Sequence, residues 1–131
     1  MDPINIGSSS SVDTSQDHVV IPHVLEDIPG GKSLDVTGVT EEVLKAGRVI
    51  IEETSSGDLK PLAISGGAYA SLPGGHTYKG VLIASVLTKK PFASIMVRGR
   101  MNNEAAINAH ELPTVPAGAI TALPLIRFNK D

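Results

Sequence analysis

A mainly β fold is predicted, a small β-barrel or β-sandwich with a flexible N-terminal arm and one or two short helices. Short apolar, β-branched runs recur along the chain, among them Val49-Ile50-Ile51, Val81-Leu82-Ile83 and Ile95-Met96-Val97. Turn formers separate them, with 13 Gly and 9 Pro in 131 residues. Aromatic residues make up only 3%, a composition that suits short strands and tight turns better than a helical bundle.

The length fits one domain, large enough to bury a core without disulfides, and Cys 0 leaves none to form. That count also removes thiol nucleophiles and thiolate metal sites. A net charge of -3 argues against nucleic acid and against an anionic membrane as partners, since both reward a basic surface. No apolar run approaches the roughly 20 residues of a membrane span. Met1-Asp2-Pro3 lacks the basic and apolar regions of a signal peptide, so none is expected.

Three segments are expected. Residues 1–17 are largely polar, with the run Ser8-Ser9-Ser10-Ser11, and read as a flexible tail. Its removal through Asp17 is expected to leave the fold intact. Residues 18–45 read as an extended arm or first strands. Val19, Val20 and Ile21 favour a strand, and Pro22 confines it to an edge. Leu34-Asp35-Val36-Thr37 alternates like a half-buried strand, and Thr40 to Ala46 suggests one helical turn ended by Gly47.

Residues 46–131 read as the compact β-domain. Arg48–Thr54 and Leu59–Ile64 lie at hairpin spacing around Ser55-Ser56-Gly57-Asp58. Tyr78–Leu87 and Phe92–Met101 form the clearest hairpin. In the second of these, Ile95, Val97, Gly99 and Met101 share one face, with Arg98 and Arg100 on the other. Val81-Leu82-Ile83-Ala84 is apolar on both faces, so a central strand is expected, with Ile83 in the core. Residues 102–116 read as irregular, Ala117–Leu123 as a short helix and Leu125–Phe128 as a last strand.

No motif for chemistry emerges. His18 and His23 would point to opposite faces of a strand, a poor geometry for a shared metal. There is no Gly-x-Ser-x-Gly elbow, and Glu52-Glu53 would point to opposite faces. The stretch from Gly66 to Gly75 is followed by His76-Thr77 and not by the Lys-Ser/Thr of a phosphate loop, so its glycines read as turns. Thr77-Tyr78-Lys79-Gly80 is similar to the Asp-Tyr-Arg-Gly stretch of trimeric dUTP pyrophosphatases. Thr77 and Gly75 stand where that motif carries acids, and no Arg-Ser-Gly motif occurs, so the general base is missing. No catalytic residue, metal site or cofactor is expected.

From Ala46 to Phe128 the order of strands and glycines resembles the bacteriophage head decoration proteins of the lambda type. The Gly47-Arg48-Val49, Gly80-Val81-Leu82 and Val97-Arg98-Gly99 stretches carry the likeness. The segment from Val19 to Lys45 is longer than the simple arm of that family. The resemblance implies a non-enzymatic virion protein on the capsid surface, assembled in the host cytoplasm. Its partner would be the major capsid protein, with a trimer of itself or a head fibre as further partners. The arm would add a strand to the capsid protein, and Val19, Val20, Ile21 and Val24 are the candidate capsid-binding residues. The alternative for these residues is that they complete this protein's own fold. A head-fibre base or adaptor, or a non-viral β-barrel binding module, are the rival functions.

Overall fold

The computed structural model describes residues 17–28 and 32–129. Residues 1–16 of the expected tail lie outside the described residues, as do residues 29–31, 130 and 131. The chain opens with helix α1 (Asp17–Val20), then β1 (His23–Asp27), β2 (Lys32–Ser33), β3 (Val43–Leu44), β4 (Val49–Glu53) and β5 (Leu59–Pro61). Next come β6 (Ile64–Ser65), β7 (Ala68–Tyr69), β8 (His76–Leu82), β9 (Val86–Leu87), β10 (Phe92–Ala93) and β11 (Ile95–Asn102). Helices α2 (Asn103–His110) and α3 (Ala117–Ala122) precede the last strand, β12 (Ile126–Asn129). The fold is mainly β, as expected. Its principal sheet is open, ordered β1-β11-β8-β4-β5 with β12 also on β11.

The registers fix which strands share an edge of β11. Met96 pairs with Asp27 of β1 and with Val81 of β8, so β1 and β8 lie on opposite edges. Gly99 pairs with Val24 of β1 and with Ile126 of β12, so β12 lies on the β8 side, parallel to β11. The far edge of β1 therefore ends the sheet. β4 and β5 form the expected hairpin, with Ile50 opposite Pro61 and Glu52 opposite Leu59. β8 and β11 pair antiparallel through Ile95–Leu82 and Met96–Val81, across a broad connection that carries β9 and β10.

The apolar runs fail to alternate because both faces of the central strands are buried. Val49, Ile51, Val81 and Met96 enter one core with Val20, Met101, Ala106, Leu112 and Ala119 beneath the helices. Ile50, Leu82 and Ile95 enter a second core with Leu34, Leu44 and Ala93. The paired segments β2–β10 and β3–β9 cover that second side. β8 is central, as its sequence suggested, but Val81 and Leu82 are the fully buried residues, while Ile83 is half-buried against the first core.

Two glycines let this sheet close up. A Cβ on Gly80 would sit 2.2 Å from the Met96 carbonyl oxygen of the neighbouring strand. Gly99 has φ +150, and a Cβ there would lie 2.4 Å from the His23 carbonyl oxygen. Only glycine leaves room for such an approach.

Several expected elements are corrected. Asp17, Val20 and Ile21 are buried while His18 and Val19 are exposed, the i, i+3, i+4 pattern of a helix and not of a strand. The turn bonds through Ile21 N–H to the Asp17 carbonyl at 2.9 Å. Residues 40–46 form no helix. Leu44 is fully buried and β3 pairs with β9, so tertiary pairing overrides a weak local preference. Residues 102–116 are not irregular throughout, since α2 occupies 103–110. Asn102 caps it by accepting from Ala105 N–H at 3.0 Å. Glu111 ends it in the left-handed region at φ 56. In β11 the pairing skips Val97, a bulge that reverses the alternation. Gly99 and Met101 do oppose Arg98 and Arg100, but Ile95 falls on the other face from Met101.

The two-sided core makes a specific distinction. Leu82→Ala should cost about 2–5 kcal/mol in urea unfolding, and half-buried Ile83→Ala clearly less. Equal losses would show that Ile83 belongs to the fully buried set.

Candidate functional site

Four candidate capsid-binding residues separate into two pairs. Val20 is fully buried and Ile21 is 6% exposed, both in the helix-side core, so they complete this protein's own fold. Val19 is exposed on α1, and Val24 is exposed on β1. Every residue of β1 is exposed, and its outer edge is the end of the sheet order. Leu25 bulges from it, between Val24 opposite Gly99 and Glu26 opposite Arg98. What remains for strand addition is thus His23–Asp27.

Beside β1, α1 is held by a buried polar clamp that sequence reading missed. The Asp17 carboxylate accepts from Ser85 N–H at 2.7 Å, from the Ser85 hydroxyl at 2.8 Å and from His110 Nε2 at 3.0 Å. Ser85 Oγ in turn accepts from Ala46 N–H at 3.0 Å. All three side chains are buried. Serine, histidine and aspartate thus meet, but in the wrong order for nucleophilic catalysis. A triad needs histidine between serine and acid so that it can take the serine proton. Here the carboxylate stands in the middle and the serine hydroxyl already donates to it. The cluster is a structural tie from α1 to the β8–β9 turn and to the last turn of α2.

A cleft of about 290 Å³ opens between the 35–41 loop and β5, with Arg48, Ile51, Lys60 and His76 among its lining residues. Arg48 is buried there, donating from Nε to the Leu62 carbonyl at 2.9 Å and from Nη1 to Glu41 at 2.7 Å. At the rim, Lys60 Nζ lies 3.2 Å from Glu53, 4.0 Å from Asp35 and 3.4 Å from His76 Nε2. His76 Nδ1 faces the Gly74 carbonyl at 3.0 Å, which can only accept, so Nδ1 carries the hydrogen and Nε2 accepts from Lys60.

Hydrogen bonds from Thr37, with a smaller effect of Lys60, hold the Asp35 carboxyl below its usual range. Lys60, then Ser56 and Ser55, do the same for Glu53. These groups neutralise one another at an exposed rim, where water screens them. The cleft presents no activated nucleophile. Among the described residues no group of three or more His, Asp or Glu is placed to hold a metal ion. His18 and His23 are exposed on separate elements, α1 and β1.

The glycine-rich stretch builds turns. Gly66 and Gly67, at φ 63 and 79, connect β6 to β7 with Ser65 opposite Ala68. Tyr69 then turns its hydroxyl inward, where it accepts from Val49 N–H at 3.3 Å, and burial pushes its pKa up to about 12. No described helix is long and apolar enough to cross a membrane. Comparison with protein-family models, with curated proteins and with solved structures finds no match to this chain.

Two outcomes follow from these buried groups. Asp17→Ala strands a buried amide, a hydroxyl and an imidazole, and should cost about 3 kcal/mol in chemical unfolding. A chain beginning at Asp17 should therefore exceed one beginning at His18 in stability by a similar margin, which tests the expectation that residues 1–17 are all dispensable. Tyr69 stabilises the fold while its hydroxyl is protonated in both states. Because its folded pKa, about 12, is raised above the unfolded value of 10.0, that contribution is complete below pH 10 and is lost as pH rises to 12. Melting temperature should fall across that window in the wild type, with a shallower fall in Tyr69→Phe.

Proposed function

We propose that this chain is a structural protein of a bacteriophage virion that binds the outer surface of the assembled head and stabilises it. The observation that supports the reading most is the outer edge of β1, exposed at all five residues and ending the sheet. An extended strand of the major capsid protein can pair with such an edge, gaining backbone hydrogen bonds as it docks. Val24 supplies an apolar side chain there, and Glu26 and Asp27 guard the edge against indiscriminate pairing. The resemblance of 46–128 to lambda-type decoration proteins supports the same reading, and two of the glycines that carry it, Gly80 and Gly99, sit where neighbouring strands leave no room for a Cβ.

In this reading the protein has no catalytic role. Its work is surface complementarity repeated over a shell, so modest single contacts suffice where copies are linked into a trimer. A head fibre could use the same attachment.

The test is co-sedimentation with expanded and unexpanded heads of the phage whose genome encodes the chain. Retention on expanded heads alone is expected, with firmer heads on heating. Val24→Lys should weaken retention on the order of tenfold, the usual scale for one disrupted anchor, without altering the melting curve. Heads that retain none of the wild-type protein would end the proposal.

A further inference from the structure

The buried guanidinium of Arg48 keeps one nitrogen unmet. Only 3% of this side chain is exposed. Its Nε donates to the Leu62 carbonyl and its Nη1 to Glu41, at 2.9 and 2.7 Å. The two hydrogens of Nη2 meet no acceptor among the described residues. A buried donor left without an acceptor is costly, and native structures keep few of them. Open space adjoins this one. Arg48 lines the cleft of about 290 Å³ beside β5, and it also lines a second cavity of about 290 Å³ that reaches His110.

The charges around the cleft say what kind of oxygen Nη2 would receive. Two acids, Asp35 and Glu41, and two bases, Arg48 and Lys60, line it. His76 accepts from Lys60 and adds no charge. The cleft is therefore neutral as a whole, and Glu41 already balances Arg48. A second anion on Arg48 would stand close to the Glu41 carboxylate and be repelled by it. A neutral oxygen, that of a hydroxyl, avoids this repulsion.

Hydrogen-bonding capacity of both kinds is left over nearby. Lys60 reaches Glu53 at 3.2 Å and His76 at 3.4 Å, which leaves one of its three hydrogens. Asp35 takes both bonds from Thr37 on Oδ1, while Oδ2 lies 4.0 Å from Lys60, too far for a hydrogen bond. Charged groups bond strongly to uncharged partners. A hydroxyl donates and accepts at once, so a ring bearing several can serve these groups without adding charge. Val39, Pro61 and Ile64 supply apolar wall for its C–H groups. No Phe, Tyr or Trp lines the cleft, so a nucleobase would lack a stacking platform. The volume sits at the small end of ligand sites, room for one ring and not for a chain.

We propose that the cleft between the 35–41 loop and β5 binds one pyranose ring of a neutral sugar, with a ring hydroxyl accepting from Arg48 Nη2. The site is separate from the β1 edge, because β1 and β5 stand at opposite ends of the sheet order. Either can therefore fail without the other.

The probes are D-glucose, D-galactose and D-mannose with their methyl glycosides, titrated into the full chain and followed by backbone amide shifts. Saturable binding of at least one is expected, with Kd on the order of 1 mM and shifts confined to residues 35–41, 48, 60–64 and 73–76. Raising sodium chloride should leave Kd unchanged, since the ligand brings no charge. Binding of a methyl glycoside would assign the site to the end of a glycan, and binding of the free sugar alone would assign it to free monosaccharide. Arg48→Lys keeps the charge opposite Glu41 but removes Nη2, and should weaken binding by at least about tenfold. If that variant fails to fold by circular dichroism, Ala63→Leu narrows the cleft without touching Arg48 and should cause the same loss. No saturable shift with any of the six sugars would overturn the proposal. So would sodium sulfate moving the same amides at lower concentration, or unchanged affinity in the folded variant.

Discussion

Burial of the central strands on both faces is the constraint from which the rest follows. Val49, Ile50 and Ile51 on β4, Val81 and Leu82 on β8, and Ile95 and Met96 on β11 cannot all reach one core. Adjacent strand residues point to opposite sides, so two apolar layers must form. A chain of 131 residues then has to cover both sides with little material. It does so with three short helices on one side and two paired ribbons on the other. Neither cover would be stable alone, because helices of this length are marginal without tertiary packing. Gly80 permits the close approach of β8 to β11, the strands that both layers share.

The polar clamp on Asp17 follows from the same constraint. α1 is only four residues long, and Val20 with Ile21 just after it are the apolar side chains buried there. Hydrophobic burial of two side chains offsets the ordering of a few residues only narrowly, at about 1.5–3 kcal/mol per side chain against 1–2 kcal/mol per ordered backbone residue. A carboxylate that accepts three hydrogen bonds adds direction to that balance. It ties α1 to Ser85 after β8 and to His110 at the end of α2, three segments far apart in sequence. Ser, His and Asp gathered in this way use the residues of a hydrolase for anchorage, and the order of their hydrogen bonds tells the two apart.

What the sequence made legible is what local chemistry controls. The β4–β5 hairpin, the glycine turns, α3 and the central place of β8 could be read from runs of β-branched residues and from Gly and Pro between them. At α1 local chemistry misleads, because Pro22 and the run Val19-Val20-Ile21 suggest an edge strand, while Asp17, Val20 and Ile21 together spell the i, i+3, i+4 face of a helix. Including Asp17 in that pattern would have revealed it. α2 also had a signal, an Asn102 cap before Glu104, Ala105 and Ala106. The β3–β9 pairing had none, since two-residue strands are set by partners distant in the chain. The clamp was equally hidden, because nothing local links positions 17, 85 and 110. Of the candidate docking residues, only the split between exposed Val24 and buried Val20 and Ile21 needed the structure.

Among the described residues, the two faces of the sheet are covered unequally. The β2–β10 and β3–β9 ribbons cover the second face over β4, β8 and the start of β11, and the Val97 bulge lies just beyond that cover. By reversing the alternation of β11, the bulge keeps Met101 in the helix-side core and turns Arg98 and Arg100 onto the second face, beyond those ribbons. Were Val97 paired regularly and not bulged, strict alternation from Met96 would drive both arginines toward the buried helices, at a desolvation cost. The bulge thus allows one strand to serve both layers at its start and to present charge at its end. β1, whose outer edge ends the sheet, borders that same region. Among the described residues, the outer edge of β1 and the second-face side chains Arg98 and Arg100 therefore lie at the same end of the sheet.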